Sequence, residues 1–218
     1  MLASSAARCA RSSLDGPTTT ITRALDAGYD IRTVINPLPT LDDWALLPSG
    51  AVAVVRGRDF HLEWISANGH HEVSPPMPFE WQRLTLDDRQ RIVDSARAAM
   101  ASVMQSTPHP RGRGIVPLPQ IEFTPATEIA DYRPAVFAGL TRAAPGGRVW
   151  IRTTLASPDG PVYDVVDSAG TIVARVRLPP GRVLLAVAPH GVVYLGMRDA
   201  HGSAHVEKAL TAGADGGR

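Results

Sequence analysis

Over most of the chain, apolar residues fall in short runs of four to six, and nearly every run is closed by a turn residue. From Gly147 to about Leu210 the runs are GRVWIRTT, PVYDVVDSAG, TIVARVRLPP, RVLLAVAPHG, VVYLGMRDAHG and SAHVEKAL. Each is β-branched or aromatic and ends at Asp-Gly, Ala-Gly, His-Gly or a proline, the pattern of short strands joined by tight turns. A second set, DDWALLPSG, AVAVVRGRDFH, LEWISANG and HHEVSPPMPF, predicts four strands over residues 42–78. Its Asn68-Gly69 pair favours a hairpin, because both residues tolerate positive φ. Nearer the start, TTTITRAL (18–25) and YDIRTVI (29–35) predict two strands around Asp26-Ala27-Gly28, with Pro37 and Pro39 ending the second.

The period changes at residues 85–104. Leu86, Ile92, Val93, Ala96, Met100, Val103 and Met104 recur at three- and four-residue steps, and Asp87, Arg89, Arg91, Asp94 and Arg97 fill the opposite side. This is one amphipathic helix whose stripe needs a surface to pack on. Thr85 is its natural N-cap, with Asp88 in capping-box position. Pro108, Pro110, Pro117 and Pro119, with Arg111 and Arg113 between glycines, make 105–120 an extended linker. IEFTP (121–125) and AVFAGLTRA (135–143) are further strand candidates. Residues 1–17 lack any period and are expected to be disordered, as a loose tail is over 211–218.

The strand sets repeat. Turn glycines recur as Gly50/Gly69, Gly147/Gly170 and Gly191/Gly202, and the step from Gly147 to Gly191 is 44 residues. A period of roughly 40–50 residues carrying four strands is the mark of a β-propeller blade, a sheet that buries its faces only against its neighbours. The stretches DDWALLPSGAVAVVRGRDFHLEWISANG, LDDRQRIVDSARAAM, GRVWIRTT, PVYDVVDSAGTIVARVRLPPGR and GVVYLGMRD resemble the C-terminal part of a six-bladed, NHL-like β-propeller protein of bacterial type. The fold expected is all-β: a partial β-propeller of about three four-stranded blades, with one amphipathic helix inserted near 85–104. A single incomplete propeller domain is expected over 18–210, with the helix and Pro-rich linker as an insert at 80–120. The last blade is short of a fourth strand, for which TTTITRAL is a candidate. The expectation is a fragment, a truncated product, or a half-propeller that completes itself by pairing with another copy, with self-association through open blade edges.

Composition narrows this little. Glycine and proline at 19 each suit many short strands and turns. The net charge of +1 supplies no general attraction to nucleic acid or anionic membrane. The single cysteine, Cys9, allows neither an internal disulfide nor a cysteine-based zinc site. No run is long enough for a membrane span, and MLASSAARCARSSL lacks the apolar core of a signal peptide. The resemblance, by contrast, implies an extracytoplasmic setting.

Candidate chemistry is sparse. His61, His70, His71 and Glu72 suggest a metal cluster, but adjacent histidines on a strand point to opposite faces and no second acidic ligand is evident. No Gly-x-Ser-x-Gly elbow occurs. His109, His190, His201 and His205 are scattered. Arg111-Gly-Arg113-Gly lacks the strand and helix that a phosphate loop needs. Asp164 and Asp167 read as one solvent-facing and one turn-capping residue, and Asp42-Asp43 as turn residues. Trp44, Trp64, Trp81 and Trp150 read as core. The one candidate ligand-binding residue is Arg152, which follows the apolar run VWI where the matching positions are Val55 and Gly196. No catalytic residue, metal ligand or cofactor is assigned. The function expected is a non-catalytic binding or scaffold module for a protein, peptide or carbohydrate. The alternatives are a metal-dependent, lactonase-like propeller hydrolase and a fragment without activity of its own.

Overall fold

The computed structural model describes residues 18–25, 28–106, 120–155 and 157–211. The expected disorder at 1–17, Cys9, most of the Pro-rich linker with His109, Arg111 and Arg113, and the tail from 212 lie outside the described residues. The chain is mostly strand, in four sheets, with a single α-helix among the described residues. It divides into two compact units. One holds the residues up to Thr40 together with Gln82–Arg133, the other Leu41–Trp81 and the chain from Pro134 onward.

In the first unit, β1 (Thr18–Leu25) and β2 (Gly28–Ile35) form an antiparallel pair, and β7 (Gln120–Phe123) joins β2 in parallel. TTTITRAL is thus a strand of this sheet and not of the third blade-like sheet. Helix α1 spans Leu86–Ser106. It starts where the capping pattern puts it: Thr85 Oγ1 accepts from the Asp88 N–H, and Asp88 Oδ2 accepts from both the N–H and the hydroxyl of Thr85. These bonds hold the Asp88 carboxyl below its ordinary value. The stripe packs only in part. Val93 is buried with Ala126 and Ile129, whereas Leu86, Val103 and Met104 are exposed.

The second unit consists of three antiparallel sheets. The first has the order β3-β4-β5-β6, from Asp43–Leu46, Val52–Arg56, His61–Ile65 and His71–Val73. The second has the order β11-β10-β9-β8, from Ile172–Arg177, Val162–Val166, Arg148–Arg152 and Arg142–Ala144. The third is β12-β13-β14, from Val183–Val187, Val192–Arg198 and Ala204–Leu210, and has three strands among the described residues. The strand expected over 135–143 is confined to its last residues. Val136 makes only an isolated bridge to Thr153, because the chain there passes between sheets before β8 begins.

The sheets stack face to face. Ala53, Val55, Leu62 and Trp64 of the first share a core with Val149, Ile151 and Val166 of the second. On the other side of the second sheet, Trp150, Tyr163 and Val165 share a core with Leu184, Val193 and Leu195 of the third. The inner strands of the middle sheet are therefore covered on both faces, and all five residues of β10 are buried, whereas its outer strand β11 stays largely exposed. The outer sheets alternate instead, with β3 reading buried, exposed, buried, exposed. The first strands also touch in series, β8 meeting β3 on one side and β12 on the other.

Polar contacts pin this stack. Asp43, nearly buried at the start of β3, accepts through Oδ2 from the N–H groups of Leu140 (3.0 Å) and Thr141 (2.8 Å) and through Oδ1 from Trp44. It is not the simple turn residue expected, since it ties the first sheet to the chain entering the second. Arg142 Nε reaches the Leu185 carbonyl of the third sheet at 3.0 Å. Asp164 is fully buried rather than solvent-facing, because Arg175, directly opposite on β11, donates to both of its oxygens at 2.7 and 3.2 Å. Asp167 does cap its turn, accepting from Ala169 and Thr171. Replacing Asp43 by Ala strands two backbone donors in a nearly dry position, so the expected loss is roughly 2–4 kcal/mol in denaturant unfolding. Asp43→Asn keeps one acceptor and is expected to lose less than half of that.

Candidate functional site

Arg152 is the last residue of β9. Because neighbouring strands run antiparallel, the end of β9, the start of β10 and the end of β11 lie at one end of the middle sheet, and the short connection 178–182 starts β12 from the same end. There the chain encloses a cleft of about 630 Å³, lined among others by Phe137, Arg152, Thr154, Leu155, Pro161 and Pro180. Its walls combine the Phe137 ring, proline surface, Leu155 and the hydroxyl side chains of Thr154 and Ser157.

The guanidinium of Arg152 lies 5.2 Å from the Phe137 ring centroid and 5.7 Å from that of Tyr163. Tyr163 is its cross-strand partner and is itself fixed, its hydroxyl accepting from the Leu184 N–H at 3.2 Å. Phe137 is held by its own N–H, which donates to the Arg152 carbonyl. The two rings orient the cation by their faces. Arg152 has no carboxylate partner among the described residues, and its Nη1 is buried without a hydrogen bond. Burial pushes the group below its ordinary value, against the pull of Tyr163, yet an arginine remains a cation near neutral pH. Three other buried side-chain atoms among the described residues lack partners, namely Trp64 Nε1, Arg89 Nε and Thr141 Oγ1. Arg89, however, satisfies Asp131 and the Ile129 carbonyl through Nη1. Arg152 is thus the cation among them with nothing to neutralise it.

Gly160 shapes the cleft wall. A Cβ there would lie 2.1 Å from the Leu178 carbonyl oxygen, and its φ of +121° disfavours any side chain. The loop before β10 is therefore pressed against the chain leaving β11, which sets the depth of the cleft.

The histidines of the first sheet belong to a network around a carboxylate. On the open face of the first sheet, Glu63 receives Arg56 in bidentate form, Nε at 2.7 Å and Nη2 at 2.9 Å. His71 Nε2 lies 3.0 Å from it, and His61 Nε2 lies 3.5 Å away while its Nδ1 contacts Asp59. Arg56 also meets Asp42. Sequence reasoning missed Glu63, the residue on which this network converges. Its signal was the spacing of His61 and Glu63, which share a face at i, i+2. Arg56 above all, then the histidines, lower the Glu63 carboxyl to about 2, against the opposing effect of burial. Among the described residues no group of three or more His, Cys, Asp or Glu is placed to hold a metal ion. His205 pairs with Asp199, and Trp64 and Trp150 are buried, but Trp44 is 63% exposed and Trp81 is 38% exposed. Two further hollows have committed cations and carboxylates. In the one beside Pro37 and Ile92, Arg91 is paired to Asp88 and Arg133 donates to Gln82, and in the one beside Trp44 the Asp43 carboxylate is fully used.

No protein-family model matches the chain, and no curated protein or solved structure matches it either.

Glu63 titrates lower in the folded chain than in the unfolded one, so its contribution to stability is complete above about pH 4.5 and is lost as pH falls toward about 2. Glu63→Gln is expected to remove that part of the acid sensitivity, and the stability difference between wild type and variant should shrink across this window in urea titrations. Gly160→Ala is expected to cost roughly 2–4 kcal/mol, from backbone strain plus displacement of the Leu178 segment, measured by the unfolding midpoint.

Proposed function

We propose that the three stacked sheets are blades of an incomplete six-bladed, NHL-like β-propeller, and that the chain is a non-catalytic binding module whose ligand presents a carboxylate to Arg152. The strand sets recurring in the sequence, the face-to-face order of the sheets and the serial contact of their first strands support the propeller reading. The observation that carries the binding reading is the buried, unpartnered Arg152 Nη1 in a cleft walled by aromatic and proline surface. A cation kept partly dry without a counter-ion is unfavourable for folding, and a ligand that completes it offsets that cost. The planar fork of the guanidinium fits a carboxylate in bidentate form, and the flanking rings hold that fork in place before the ligand arrives. A cleft of about 630 Å³ has room for a short peptide terminus or one acidic sugar unit.

The test is calorimetry with short peptides carrying a free C-terminal carboxylate, against the same peptides amidated. The free acids are expected to bind and the amides to bind at least tenfold more weakly. Arg152→Met is expected to lower affinity for the acids by about 10- to 100-fold, the worth of a charge-assisted contact. The same variant is expected to leave stability within about 1 kcal/mol of wild type, since it removes an unpaired charge together with its ring contacts. Equal binding of acid and amide, or undiminished binding by Arg152→Met, would overturn the assignment.

A further inference from the structure

The two outer sheets of the second unit each turn an apolar face to solvent. On the first sheet this face carries Trp44 (63% exposed), Leu46 (60%), Ile65 (39%) and Val73 (59%). Registers put them on one side: Trp44 stands opposite Val54, Leu46 opposite Val52, Val52 opposite Ile65, and Val54 opposite Glu63, which faces Val73. On the third sheet the open face carries Val183, Leu185, Tyr194, Val206 and Leu210, all at least 37% exposed. Tyr194 pairs with Lys208, Gly196 with Val206 and Val192 with Leu210, which puts them on the side away from Leu184, Val193 and Leu195.

These faces have the composition of sheet faces covered by protein, not of faces built for water. The stack itself shows what covers such a face, since β9 and β10 of the middle sheet are covered on both sides by a neighbouring sheet. Among the described residues of the second unit, no sheet precedes the first and none follows the third. The open ends are therefore the two halves of the same kind of contact that already joins the sheets within the chain. Charge agrees. Lys208, on the open face of the third sheet, makes no ion pair among the described residues, while on that of the first sheet two carboxylates, Asp42 and Glu63, share one arginine, Arg56, with His61 and His71 beside Glu63.

We propose that the partner is a second copy of this chain, with the third sheet of each copy stacked on the first sheet of the other. Two copies then make two identical junctions, and six sheets follow one another with no face left open. One such contact without the other would leave ends free to recruit further copies, so closure by two is what keeps the assembly finite. This assembly does not depend on the Arg152 cleft.

The test is the mass in solution by light scattering and sedimentation. The wild-type chain is expected at twice its 23.2 kDa. Leu46→Glu on one face and Leu210→Glu on the other should each give a single-chain species whose far-ultraviolet circular dichroism and cooperative melt match wild type, as both residues are exposed. A cross-link does not depend on how those variants fold. In a Cys9→Ala background, Leu46→Cys with Leu210→Cys is expected to give doubled mass with a short bismaleimide on a denaturing gel, and neither single cysteine to do so. A wild-type chain of single mass, or a dimer that survives both charge substitutions, would overturn the proposal.

Discussion

A β-sheet with two apolar faces cannot rest in water, and this requirement governs the second unit of the molecule. Each sheet is too small to bury its own side chains. Stability comes from laying one sheet on the next, at about 25 cal/mol for each square ångström of apolar surface covered. The middle sheet meets the requirement along β9 and β10. Tyr163, Ile151, Val149 and Val166 are almost or entirely inaccessible because sheets press on both sides. The buried carboxylates within the stack are few and each has partners. Asp164 is neutralised by Arg175 across the strand pair, and Asp43 takes up backbone donors where the chain crosses from one sheet to the next.

The proposed binding role follows from the ends of these sheets rather than their faces. Strands that stack by their faces leave their connections at the rims, and connections tolerate irregular backbone. The cleft beside Arg152 is made of such connections, seated on a rigid strand. Tyr163 belongs to both worlds, filling the core with its ring while its face steadies the guanidinium and its hydroxyl holds the start of β12. The rim at Arg152 is thereby coupled to packing in the middle of the stack.

Much of this was legible in the residues. Turn glycines, β-branched runs and the switch to a three-to-four period marked the strands, the helix and its cap. Arg152 stood out as a charge following the apolar VWI run. What the sequence concealed has a common cause: partners that lie far apart along the chain. Asp43 looks like a turn residue until Leu140 and Thr141 arrive, and Asp164 looks solvent-facing until Arg175 is seen opposite it. Glu63 attracts no notice until Arg56 and two histidines converge on it. Trp44 reads as core by its chemistry, yet it lies on the open side of an outer sheet, since composition records that a face is apolar and not whether a neighbour covers it. The first unit was hidden for a similar reason, because β2 and β7 pair across a long stretch of intervening chain.

The stacking order is the claim on which the rest depends, and methyl and aromatic contacts observed by nuclear magnetic resonance address it most directly. Cross-peaks are expected from Leu62 and Val55 to Ile151 and Val166, and from Tyr163 and Val165 to Leu184 and Leu195, with none linking Leu62 to Leu184. Direct contacts between the first and third sheets within one chain, or the absence of contacts from either to the middle sheet, would contradict it.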